Sequence, residues 1–226
     1  MRFARQVWVV AFKDLRAELR TKEAINSSLA FALVILLMFS YAFDPLADTT
    51  REMSGGLLWI VFAFAGTLVL NRSFARELPN DCLDGLIAAP VSGAALFLGK
   101  ALANFLLVLA VQMVSLPVFG IFYNVPWTRQ LPELLLVMVL GTWGLTIVGT
   151  VSSALTVNIR LRELMLPMLT YPIMFPALLG AMQLTAHLVG GNPIDEDHYG
   201  WLKMMIGFDV IYTGVSMVLV ETILVG

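Results

Sequence analysis

Six apolar runs, each near the length that crosses a bilayer, decide what this chain can fold into. They are approximately Ser27–Phe43, Gly55–Leu70, Leu96–Phe122, Glu133–Val157, Leu164–His187 and Trp201–Val225. A helix of about 20 apolar residues covers the hydrocarbon thickness. In lipid a spanning segment must satisfy its own backbone hydrogen bonds, which leaves helices as the solution for runs of this length. The chain is therefore expected to be all-α and polytopic. It reads as a single membrane domain over 1–226, with a six-span bundle at 27–225 and an interfacial helix at 1–24. Composition agrees: 59% of residues are hydrophobic and 13% charged, where a soluble domain carries about a quarter charged residues. The small net charge of −2 separates no function classes. No feature points to nucleic acid.

The basic residues orient the bundle. Arg2, Arg5, Lys13, Arg16, Arg20, Lys22, Arg72, Arg76, Lys100, Arg160 and Arg162 fall on the N-terminal side, and only Arg51, Arg129 and Lys203 on the other. Under the positive-inside rule that distribution places both termini in the cytoplasm. Trp59, Tyr123, Trp127, Tyr199 and Trp201 fall near the expected outer boundaries, as an aromatic belt would. The N-terminus shows no cleavable signal pattern, so the first span is expected to remain in the protein. The single cysteine, Cys82, gives neither a disulfide framework nor a multi-cysteine metal cage.

Ahead of the first span, Phe3, Val7, Trp8, Val10, Ala11, Leu15 and Leu19 form one broad apolar arc at helical spacing, with Arg2, Arg5, Lys13, Arg16 and Arg20 opposite. This is the pattern of an interfacial amphipathic helix. Asp14 and Glu18 fall inside the apolar arc, one turn apart. There they would face lipid unless protein meets them, so they are expected to contact cytoplasmic loops or a soluble subunit. Anchoring to the membrane remains the simpler role for the helix as a whole.

Between the second and third runs lies the polar stretch Arg72 to Pro90. Leu78, Cys82, Leu83, Leu86 and Ile87 keep helical spacing within it. Pro79 stops an incoming helix, Asn80 or Asp81 can cap a new one, and Pro90 ends it. Ser92 can then start the third span. A short two-sided helix over 77–90, carrying Glu77, Asn80, Asp81, Leu83, Asp84, Leu86 and Pro90, is either a solvated connector or a coupling helix that docks a soluble partner. The short turn holding Arg160 and Arg162 is a secondary docking candidate, as are Asp14 and Glu18.

Three stretches together resemble the CcmB family: "KDLRAELRTKE" before the first span, "GLLWIVFAFAGTLVLNRSFARELPNDCLDGLIAAPVS", and "ALTVNIRLRELMLPMLTYPIMFPALL". The resemblance covers nearly the whole chain. It implies an ABC-2-like permease subunit of a complex in cytochrome c maturation at the bacterial inner membrane, with heme as cargo. It further implies an ATPase partner resembling CcmA and membrane subunits resembling CcmC and CcmD. A heme chaperone resembling CcmE would be an indirect partner, and two copies of this chain would sit in each complex. The alternatives are an ABC-2-type permease for another cargo and a non-transporting scaffold that transmits ATPase motion.

Catalytic residues are not expected, nor is a cofactor or metal held by this chain. Gly93 to Lys100 has one residue too many between its glycines for a phosphate loop, and Ala101 stands where that loop needs Ser or Thr. ATP is therefore expected on a partner. His187 and His198 are the candidates for a heme contact, against a plainer role as boundary histidines. Asp209 is the carboxylate well inside a span, where it should face the bundle interior, a cavity or a partner charge. The fifth run contains Pro167, Pro172 and Pro176, which should break or bend it. The fourth is rich in small residues from Gly141 to Ser153, suited to close helix packing.

Overall fold

The computed structural model describes residues 2–43, 48–77, 85, 91–157 and 159–225. The described residues form seven α-helices and one short 3-10 turn. These are α1 (Arg2–Thr21), α2 (Glu23–Ala42), α3 (Asp48–Leu70), a 3-10 turn (Ala75–Glu77), α4 (Gly93–Phe122), α5 (Leu131–Thr156), α6 (Arg162–Val189) and α7 (Tyr199–Val225). Six of them, α2 to α7, are long and apolar enough to cross a membrane. The expected coupling residues Asn80, Asp81, Leu83, Asp84, Leu86 and Pro90 lie outside the described residues.

Helices α3 and α5 form the centre of the bundle. In their most apolar windows 72% of residues are buried, against 22% for α2 and 28% for α7. The main core gathers Leu36 of α2, Trp59 and Phe62 of α3, Phe119 of α4, Leu134 and Leu145 of α5, Leu184 of α6 and Phe208 of α7. Among lipid-solvated helices such packing is driven by close contact and interhelical hydrogen bonds. The small residues of α5 serve that end. A Cβ on Gly141 would lie 2.2 Å from the Trp59 ring, so only glycine admits the indole there. The indole in turn donates to Thr185 Oγ1 at 2.8 Å, joining α3 to α6.

That contact corrects the aromatic-belt reading. Trp59 and Tyr123 are buried core residues, 0% and 1% exposed. Both side chains turn into the bundle: the Trp59 indole packs against Gly141 and donates to Thr185, and the Tyr123 ring stacks on Phe119. Of the two outcomes expected for the prolines of α6, a break does not occur: the helix runs from Arg162 to Val189 with Pro167, Pro172 and Pro176 inside it. Helix α3 stops at Leu70, and the chain reaches Glu77 through turns and the 3-10 segment. The start of α4 is as expected, with the Ser92 side chain accepting a hydrogen bond from the Ala95 N–H at 3.3 Å.

Candidate functional site

Where α1, the turn after α3 and the start of α4 meet, the chain assembles a charged cluster. Its foundation is the seat of α1 on α4. Val7, Val10, Ala11, Asp14 and Glu18 fall on one stripe of α1, at the spacing that aligns residues along a helix. Val10 and Ala11 are buried. Gly99 of α4 makes the approach possible, since a Cβ there would lie 2.6 Å from Val10 Cβ and 2.9 Å from the Val7 carbonyl oxygen. Trp8, Val9, Phe12 and Leu19 remain exposed on the other side of α1, as suits a helix lying in the membrane interface.

Lys100, the residue after Gly99, is fully buried. Its Nζ donates to Asp14 Oδ2 at 3.1 Å, Glu77 Oε1 at 3.1 Å and the Ser73 carbonyl at 3.0 Å. All three ammonium donors thus have acceptors. The Phe74 ring lies 5.0 Å from the same Nζ, within cation–π range. From the exposed side Lys13 reaches Glu77 Oε1 at 2.6 Å and Asp14 at 3.2 Å. Burial alone would lower the Lys13 pKa. The hydrogen bond that Lys13 donates to Glu77 and the charges of Asp14 and Glu77 outweigh it and raise the group above its ordinary value. One turn further along α1, Glu18 is also fully buried. Its Oε1 accepts from the Ala24 and Ile25 N–H groups at 2.8 and 3.0 Å, capping the start of α2, and its Oε2 pairs with Arg76. Arg72 pairs with Glu23. Asn104 continues the network inward, donating to Ser73 Oγ at 2.9 Å and Thr150 Oγ1 at 3.0 Å. A cleft of about 240 Å³ opens among Lys13, Asp14, Arg72, Arg76, Glu77 and Asn104.

This geometry settles where Asp14 and Glu18 point. Both meet groups of their own chain, with Glu18 0% exposed. A soluble subunit therefore cannot reach Glu18, which leaves the docking set. Glu77 is likewise held by two lysines. At the turn between α5 and α6 Arg160 is exposed and Arg162 half-buried, beside exposed Leu155, Ile159, Leu161 and Leu164. Gly93 to Lys100 forms the first turns of α4. Asp209 on α7 is 7% exposed, with Oδ2 lacking a hydrogen-bond partner among the described residues. It faces α5 at Gly144.

The sequence reading did not single out Lys100, Ser73, Arg76 or Asn104 as a cluster. One signal was available. Lys100 falls inside the expected span Leu96–Phe122, and a lysine at that depth calls for a partner.

At the opposite end of the bundle, His187 ends α6 and His198 precedes α7. Their rings stack with centroids 3.8 Å apart and 25° between planes. Asp195 lies between them in sequence and bonds His198 Nδ1. That hydrogen bond, with the charges of both histidines, outweighs its slight burial and holds its carboxyl below the usual range. Face-to-face rings at this separation leave no room for a porphyrin between them.

Six apolar helices around a packed centre, with an interfacial helix locked to one end, define a polytopic helical membrane protein. Residues 5–221 match the family model described as CcmB protein, and the chain belongs to that family. It is similar to the "Heme exporter protein B" of Rhodobacter capsulatus, 29% identical over 183 residues, 81% of this chain and 84% of the relative. The protein of the same name from Paracoccus denitrificans is 30% identical over 183 residues, covering 80% and 84%. That from Pseudomonas aeruginosa is 28% identical over 202 residues, covering 89% of each.

Proposed function

We propose that this chain is the permease subunit of an ABC-type complex in cytochrome c maturation. It would couple a partner ATPase to heme export or to loading and release of a heme chaperone. Membership of the CcmB family and relatives named for heme export support the cargo. The observation that carries the coupling is the position of Glu77. It is held by Lys13 of α1 and Lys100 of α4 immediately before the acidic stretch that runs to Pro90. A force applied to that stretch would reach α1, α3 and α4 together through one charged knot centred on buried Lys100. Asp81 and Asp84 would face the ATPase, with Leu83 and Leu86 filling its groove, and Arg160 and Arg162 would add a second contact. Both termini and this face would be cytoplasmic, in a bacterial inner membrane, with two copies of the chain serving two ATP-binding subunits. Membrane subunits resembling CcmC and CcmD would complete the assembly.

The test is co-purification with a candidate ATPase resembling CcmA, comparing wild type with Asp81→Lys/Asp84→Lys at equal membrane insertion. Glu77 is left intact, because its reversal would unseat the network. Loss of the ATPase in the variant alone supports docking on this stretch. Failure of the wild type to recruit any ATPase overturns the reading. The cargo is tested separately, by whether the chain restores heme attachment to c-type cytochromes in a strain lacking its own CcmB-family subunit.

A further inference from the structure

The loop between α6 and α7 is built to return on itself. Gly191, at φ +88, makes the reversal after α6. Glu133 Oε2 accepts from the Ile194 N–H at 2.7 Å and pins the loop to the start of α5. The Asn192 N–H closes onto the His187 carbonyl at 3.4 Å. This path carries Asp195 and His198 back over the end of α6, where His187 stands. One ligand atom from each of the three residues lies within 4.8 Å of the other two. His187 Nε2 is 3.7 Å from Asp195 Oδ2.

We propose that His187, Asp195 and His198 form a binding site for a divalent transition-metal ion of the zinc class, on the face of the bundle opposite the Lys100 cluster. Two imidazoles and one carboxylate are borderline donors suited to that ion. Zinc bonds of about 2.0–2.1 Å at tetrahedral angles place ligand atoms about 3.4 Å apart, so the two stacked rings must turn out of their present parallel arrangement for their in-plane lone pairs to converge with the carboxylate on the ion. His187 Nε2 then exchanges its present contact with the Pro193 carbonyl, at 2.9 Å, for the metal. Its remaining ring proton sits on Nδ1. The side chains are 18%, 52% and 24% exposed in chain order, which leaves a fourth position open to water. A bound ion would tie the end of α6 to the start of α7. It does not depend on what the bundle transports.

The test uses the full chain in nanodiscs, purified through a tag without histidine and stripped with chelator, then titrated with Zn²⁺ against a chromophoric competitor. One ion per wild-type chain is expected. His187→Ala, Asp195→Asn and His198→Ala should each weaken binding by more than about tenfold, since even outer-shell partners of metal ligands change affinity by that much. Glu196→Gln should bind as wild type. Melting of the metal-free variants at the wild-type temperature shows that they fold. Co²⁺ in place of Zn²⁺ should give visible bands that His198→Ala abolishes. Equal Zn²⁺ binding by wild type and the three ligand variants overturns the proposal. So does a wild type that binds no Zn²⁺ while ferric heme added to the same nanodiscs shows a Soret change lost in both histidine variants.

Discussion

Lys100 Nζ lies 3.1 Å from Glu77 Oε1 and at the same distance from Asp14 Oδ2, so one buried ammonium joins α4, the turn after α3 and the interfacial helix α1. Breaking such a pair from one side leaves the other charge buried without compensation, which costs about 3–5 kcal/mol. Lys100→Met should fall toward the lower figure, about 3 kcal/mol, because Lys13 still reaches both carboxylates. Thermal melting in detergent should show the loss. The double variant Lys100→Met/Glu77→Gln should lose less than the sum of the two single losses, because the second change removes the charge that the first left unpaired. Additive losses would mean that the two groups are not coupled.

The seat of α1 depends on Gly99. Any larger residue meets Val10 Cβ and the Val7 carbonyl, and neither is the flexible end of a side chain. Gly99→Leu should therefore lift α1 from α4, at a cost of about 1–3 kcal/mol for overpacking. Limited proteolysis should then cut within α1. Trimming Val10 to alanine should not rescue the variant, because Cβ and the Val7 carbonyl remain. Rescue by Val10→Ala would show that the contact is softer than its geometry.

Asp209 and Gly144 make a similar pair deeper in the bundle. A methyl at position 144 would lie 2.8 Å from Asp209 Oδ1. Gly144→Ala should push the carboxylate out of its place against α5 and lower the melting temperature. The same substitution in an Asp209→Ala background should cost markedly less, a coupling expected between residues in contact. Equal costs in the two backgrounds would place the strain elsewhere.

The spans were legible because apolar length in a membrane chain has few structural outcomes, and Ser92 because capping is local chemistry. The buried fate of Asp14 and Glu18 was half legible: carboxylates on an apolar arc require a partner, but the pattern does not name it. Asp14 and Lys100 are 86 residues apart, and no spacing rule joins them. Lys100 also had a sufficient explanation as an orienting charge, which hid its burial. Trp59 was misread because the sequence does not say which way an aromatic near a span's end faces, and the glycine that admits its ring, Gly141, is 82 residues away on another helix. The three prolines of α6 mark positions where a helix can break, but sequence alone does not say whether it does, and here it continues through all three.

Lys13 gives the cluster a predictable alkaline limit. Its pKa is raised above the ordinary 10.5 by Glu77 and Asp14, which outweigh the opposing effect of burial. A cation whose folded pKa exceeds its unfolded one contributes its full stabilisation below the unfolded value and loses it as pH rises through the folded value. The melting-temperature difference between wild type and Lys13→Met should therefore stay constant from neutrality to just below pH 10.5, then shrink at higher pH. It should also shrink with added salt, since the Lys13 side chain is 44% exposed and the pair is partly screened. A difference that persisted unchanged above that pH would mean that Lys13 stabilises through the packing of its methylene stem instead of its charge.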